Sequence, residues 1–243
     1  QTCALPICLN YFQQGKYEEA VSFLRDAVAM RRQVHGTIHP ALAQAMGNLS
    51  WALFNLGKSD EAEPLVRLSL SMNRQLYGDT HPETAASLNN LGYVTEALGD
   101  LAEAERSYRE ALAINRKLLG EAHPMIAVNL SNLAFVEYAL GRRAEAIDLL
   151  RSSIEMSRRV LGSEHPDVAG GATSLAYWLT EAGQFEEAGK LVDEGLAIRR
   201  KVLGENHPQV AGTLTVKANL MLATSRYREA QLLAAESRRI LEA

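Results

Sequence analysis

An all-α solenoid of antiparallel helix pairs is the fold class this sequence predicts, on three observations. His-Pro recurs at His39-Pro40, His81-Pro82, His123-Pro124, His165-Pro166 and His207-Pro208, always at a step of 42 residues. Glycine keeps the same interval three residues earlier, at Gly36, Gly78, Gly120, Gly162 and Gly204. Between these marks the apolar residues fall at helical spacing. A fixed period of about 20–50 residues marks a repeat array whose units pack on their neighbours.

The third full repeat shows how each element arises. Pro124 suits the first position of a helix, where its missing N–H costs nothing and its φ is already helical. Met125 to Leu140 then reads as the first helix, with Ile126, Leu130, Leu133 and Phe135 on its apolar faces. Gly141 stops it, and glycine recurs there as Gly15, Gly57, Gly99 and Gly183, where a left-handed closing residue is cheapest. The second helix runs from about Arg143 to Leu161, burying Ala146, Leu149, Leu150, Ile154 and Met156. Gly162 ends it, and Ser163-Glu164-His165 turns the chain into the next proline. Helices of about 16 and 19 residues per repeat are expected.

Along the chain this gives one array: a partial repeat over 9–39, full repeats over 40–81, 82–123, 124–165 and 166–207, and a partial repeat over 208–243. Gln1 to Ile7 resembles a translated sequencing-library adapter, so residues 1–8 are expected to be non-native and to replace part of an earlier repeat. Cys3 and Cys8 are the only cysteines of the 243 residues. Disulfides and cysteine metal sites are therefore not expected, and a cytoplasmic location is compatible with that.

Charge follows the helix dipole. Acidic residues start the second helices (Glu18 and Glu19, Asp60 and Glu61, Glu103, Glu145, Glu186 and Glu187), and arginines or lysines end them. Each placement contributes about 0.3–1 kcal/mol, a sufficient reason for these residues to be there. The net charge of −4, with no basic stripe, does not point to nucleic acid, and no apolar run is long enough for a membrane span.

Gly99, Glu103-Ala104 and Ala111 together resemble the tetratricopeptide repeat. The 42-residue length, Asn48-Leu49-Ser50, Asn90-Leu91-Gly92 and Asn132-Leu133-Ala134, and Leu-Gly-x-x-His-Pro resemble the kinesin light chain subclass of that family. The resemblance covers residues 9–243 and implies a right-handed superhelical solenoid. It also implies non-enzymatic binding of a protein or peptide in a concave groove lined by the first helices. Towards the end the pattern lapses: Asn becomes Ser174 and then Val216, Leu becomes Lys217, and the turn glycine becomes Ser225. The fourth full repeat carries Gly170, Gly171, Gly189 and Gly195 inside its helices, which should soften it by roughly 1 kcal/mol per glycine.

Little points to catalysis. The five repeated histidines stand one per layer, roughly 10 Å or more apart, too far to share a metal. They read as loop residues closing the helix end before proline, and His35 pairs with no acid or nucleophile. No phosphate loop, nucleophile elbow or His-Glu-x-x-His pair occurs, so neither a cofactor nor an enzymatic activity is expected.

The candidate site is therefore a ladder on the first helices. Asn48, Asn90 (with Asn89 beside it) and Asn132 would read a peptide backbone, since an amide both donates and accepts. Trp51, Tyr93, Phe135 and Tyr177 follow three residues later on the same face, and Phe54 and Tyr138 a turn further. The plainer alternative is that the aromatics are core and the asparagines bond a neighbouring helix, while Trp178 is expected to pack. Few lysines or arginines stand on this face, Lys217 being the main exception, which disfavours a strongly acidic C-terminal ligand. Two other functions stay open: a regulatory or sensor segment of a larger multidomain signalling protein, and self-assembly through exposed end faces.

Overall fold

The computed structural model describes residues 15–242, and all its regular elements are helices. They are α1 (Tyr17–His35), α2 (Pro40–Asn55), α3 (Ser59–Tyr77), α4 (Pro82–Ala97), α5 (Leu101–Leu119), α6 (Pro124–Ala139), α7 (Arg143–Leu161), α8 (Pro166–Glu181), α9 (Phe185–Leu203), α10 (Pro208–Ala223) and α11 (Tyr227–Leu241). First helices have 16 residues and second helices 19, apart from α11 with 15. Residues 1–8, with both cysteines, lie outside the described residues. The chain divides into two compact units, Gln1–Gly120 and Glu121–Ala243.

The repeated histidine proves to be an N-cap. It takes an extended conformation, and its Nδ1 accepts the N–H two residues on: Ala41 to His39 (3.1 Å), Glu83 to His81 (3.2 Å) and Met125 to His123 (3.1 Å). Asp167 to His165 and Gln209 to His207, each at 3.2 Å, complete the set. Proline follows at the first helical position, so each histidine satisfies a donor that the helix start would otherwise leave free. His35 stacks on His39 with ring centroids 3.9 Å apart. At the other end of the second helices, glycines at φ of 75–94° close the last turn in a conformation that costs a side-chain-bearing residue strain. After the first helices Gly57, Gly99, Gly141 and Gly183 also take positive φ, and Ser225, in their position after α10, is the one non-glycine at positive φ among the described residues (61°).

In unit 1 the core runs through Leu24, Leu53, Val66, Leu88 and Val94; in unit 2 through Leu150, Val168, Leu175, Trp178 and Val192. One layer of unit 1 is filled differently from the others. The fully buried Tyr108 lies over Gly92, where an added Cβ would come within 2.4 Å of the ring. Elsewhere that pair is Ser50 with Val66, Ala134 with Leu150 and Ala176 with Val192, so the large ring and the missing side chain compensate. Of the fourth repeat's glycines, Gly171 and Gly195 are close-packing positions: a Cβ would meet Ile154 at 2.7 Å and Thr173 at 2.8 Å respectively.

The arginines of the second helices do more than complement a dipole. Six of them reach a glutamate 36 residues on, in the next second helix: Arg25 to Glu61, Arg67 to Glu103 and Arg74 to Glu110 in unit 1. Unit 2 repeats this with Arg151 to Glu187, Arg158 to Glu194 and Arg200 to Glu236. Being exposed, each pair contributes about 0.2–1 kcal/mol, more to register than to stability.

Candidate functional site

In unit 1 the first helices α2 and α4 touch, and the predicted residues gather on them. Asn48, Trp51 and Phe54 are half-buried on α2; Asn90 and Tyr93 are half-buried on α4. Trp51 stacks on Phe54 (5.3 Å) and meets the Tyr93 ring edge-on at 5.4 Å, while Tyr93 rests against the buried Tyr108 at 5.7 Å. Asn89 instead turns inward and is buried.

In unit 2, Asn132 is half-buried on α6, and Phe135 and Tyr177 are 41% and 39% exposed, on α6 and α8. Trp178 is buried and joins the aromatics into one group, 5.1 Å from Phe135 and stacked at 4.3 Å on Tyr138. Both tyrosine hydroxyls donate to one carboxylate, Tyr138 to Glu181 Oε2 and Tyr177 to Glu181 Oε1 at 2.9 Å. Burial, then the bond to Glu181, pushes the Tyr138 phenol up to about 12; the two hydroxyl bonds hold the Glu181 carboxyl below the usual range. The polar tips of both tyrosines are thus engaged within the fold. Asn132 and Tyr93 also interact with other residues of the chain. Lys217, the cation expected on this face, is tied to Asp193 at 2.6 Å.

Sequence reasoning missed a cleft of about 480 Å³ in unit 2. It adjoins Asn132 and Phe135, and Ser157, Gly171, Ser174 and Arg199 also line it. Gly170 and the Asn-to-Ser change at 174 were its signal in the sequence. No helix of the described residues is long and apolar enough to cross a membrane, and none of their His, Cys, Asp and Glu groups could hold a metal ion.

Tetratricopeptide-repeat models match residues 2–75, 52–117, 130–167 and 168–243. The chain belongs to the tetratricopeptide-repeat family, and its repeats are of the kinesin light chain-like kind. It is similar to the nearly identical repeats of a Podosopora anserina protein assigned as a kinesin light chain, with 28% identity and a TM-score of 0.71 over 84% of this chain and 96% of that one. BtubC (BKLC) from P. vanneervenii shares the fold at 20% identity and a TM-score of 0.79, over 93% of this chain and 91% of that one. A Rap protein complexed with Competence and Sporulation Factor does so at 14% identity and 0.68, over 97% and 73%. A search of curated proteins finds no match. At the level of the family the chain is a protein-interaction repeat scaffold of a generally non-catalytic fold.

Proposed function

We propose that the chain binds an extended peptide or disordered segment of another protein along its first-helix faces, without catalysis. The observation that carries this is in unit 1. Asn48 and Asn90 stand one repeat apart on touching helices, half-exposed, each three residues before an aromatic whose ring meets its neighbour's. A buried packing role alone would not leave these amides and rings partly open to solvent. The asparagines would donate to and accept from the peptide backbone, as Asn132 would in unit 2, and Trp51, Phe54, Tyr93 and Phe135 would supply rigid apolar contact. Tyr138 and Tyr177 would contribute ring faces, since their hydroxyls hold Glu181. Asn89, being buried, would support the face from behind.

Screening a peptide library by fluorescence polarisation tests this, with the double variant Asn90→Ala/Asn132→Ala as control. Binding that weakens at least about tenfold, or about 1.4 kcal/mol, in the double variant is expected. Peptide binding indifferent to both changes would assign the asparagines to structure alone.

A further inference from the structure

The aromatic group of unit 2 holds a charge that its own packing leaves unanswered. Position 181 corresponds to Asn55, Ala97, Ala139 and Ala223 in the other repeats, so Glu181 alone places an acid there. It stands in the last turn of α8 and is exposed. Tyr138 from α6 and Tyr177 from α8 each give a hydroxyl to a different oxygen of it. Those two bonds fix the carboxylate in one orientation and hold it below the usual range, so it is ionised at neutral pH. A carboxylate offers about four acceptor sites, and two hydroxyls use only two of them.

The glutamates of the second-helix ladder each meet an arginine, whereas Glu181 forms no ion pair among the described residues. Arg143 attracts it only from a distance, since its guanidinium lies over the Tyr138 ring, 5.5 Å from the centroid. That contact also shows the aromatic group drawing a cation from its own fold: the face of a ring is its negative side. Tyr177 keeps its ring exposed beside the carboxylate, and Phe135 is the second exposed ring of the group. Unit 1 does the reverse. There the carboxyl among the aromatics, Glu96, is half-buried, takes the hydroxyl of the buried Tyr108 and is held above the usual range by burial. That acid serves packing; Glu181, exposed and charged, is open to a ligand.

We propose that Glu181, with the exposed ring of Tyr177, forms a subsite for one basic side chain, lysine or arginine, of the segment the chain binds. This rests on the reading of the first-helix faces and adds a charge requirement to it. The carboxylate is the counterion, and the ring gives contact to the methylene stem and a favourable face to the cation. Charge selects the occupant: an apolar side chain would leave the carboxylate unanswered, and an acidic one would be repelled.

The test needs no known partner. Trp51 and Trp178 are the two tryptophans, so the indole N–H region holds two signals, and Trp51→Phe leaves that of Trp178. Trp178 stacks on Tyr138 and therefore reports on this group. Isotopically labelled protein is titrated at fixed ionic strength with N-acetyl-lysine N-methylamide, its arginine counterpart and the norleucine one, which keeps the stem without the charge. A saturable shift of the Trp178 signal with lysine or arginine is expected, with norleucine at least about threefold weaker. Glu181→Gln, which keeps the shape and removes the charge, should bring lysine and arginine down to the norleucine level. Arg143→Gln, which leaves Glu181 and both tyrosines in place, should strengthen the response, because a like charge has gone from beside the site. No saturable shift, a norleucine response equal to that of lysine, an undiminished response in Glu181→Gln, or one no stronger in Arg143→Gln overturns the subsite. Tetramethylammonium separates the sources: tighter binding than either side chain would overturn the side-chain assignment in favour of a small quaternary amine. These results stand apart from the peptide screen. A lysine response in a protein whose peptide binding ignores Asn90→Ala/Asn132→Ala would keep the subsite and sink the face reading, and the opposite pattern would do the reverse.

Discussion

Two junctions of the same repeat, one in each unit, are built to opposite ends. Between α3 and α4 of unit 1, Asn73 and Ser87 close the space with a hydrogen bond, and beside them Tyr108 fills the layer above Gly92. Between α7 and α8 of unit 2, Ser157 and Gly171 make no such bond and instead line a cleft together with Arg199. The backbone register, the histidine caps and the arginine ladder are common to both. Helical periodicity thus specifies the frame, and side-chain volume at a few positions decides whether a junction is packing or an opening.

The largest expected effect breaks the filled side of this comparison. Tyr108→Ala should cost unit 1 about 3–5 kcal/mol in urea unfolding, because the fully buried ring fills the space over Gly92. Tyr108→Leu with Gly92→Ala, which recreates the Ala134–Leu150 pair, should recover most of that loss. Failure of the double variant to exceed Tyr108→Leu alone would mean that the two positions do not compensate.

Next, the adjacent glycines of α8 should respond with opposite signs. Gly171→Ala should destabilise by about 1–3 kcal/mol, since its methyl would meet Ile154 at 2.7 Å. Gly170→Ala should stabilise by about 0.5–1 kcal/mol, as a helical glycine with open space beside it. Urea midpoints and amide exchange within α8 both report this. Equal signs would mean that the cleft side is as tightly packed as the core side.

The smallest effect is a pH dependence in unit 1. Burial holds the Glu96 carboxyl above the usual range, and the Tyr108 hydroxyl, donating at 3.1 Å, offsets only part of this. The folded chain therefore binds that proton more tightly than the unfolded chain does. This residue's contribution favours folding at low pH and is lost as pH rises through the raised value. Urea midpoints between about pH 4 and 7 should fall less steeply with pH in Glu96→Gln than in the parent. An identical slope would show that this carboxyl titrates as it does in the unfolded chain.

Much of the fold was legible. Pro124 opening α6, Gly141 closing its turn and α7 over Arg143–Leu161 all follow from local chemistry: proline at a helix start, glycine where φ must be positive, apolar residues on one stripe. The packing of Trp178 was readable from its place beside Tyr177, whereas the repeated histidine, read as a loop residue closing a helix end, instead caps the start of the next helix. Less legible were the partners reached across space. The arginine–glutamate pairs join residues 36 apart on different helices, so a reading of single helices saw only their dipoles.

By itself, then, the sequence determined the helix boundaries, the 42-residue register and the family, because each is encoded in neighbouring residues and repeated until chance is excluded. Tertiary structure alone decided that Asn89 turns inward while Asn90 stays half-exposed, that Glu181 engages two tyrosines, and that Arg199 lines an open cleft. The physical reason is that burial, pairing and empty volume belong to the space between helices, where residues far apart in sequence meet.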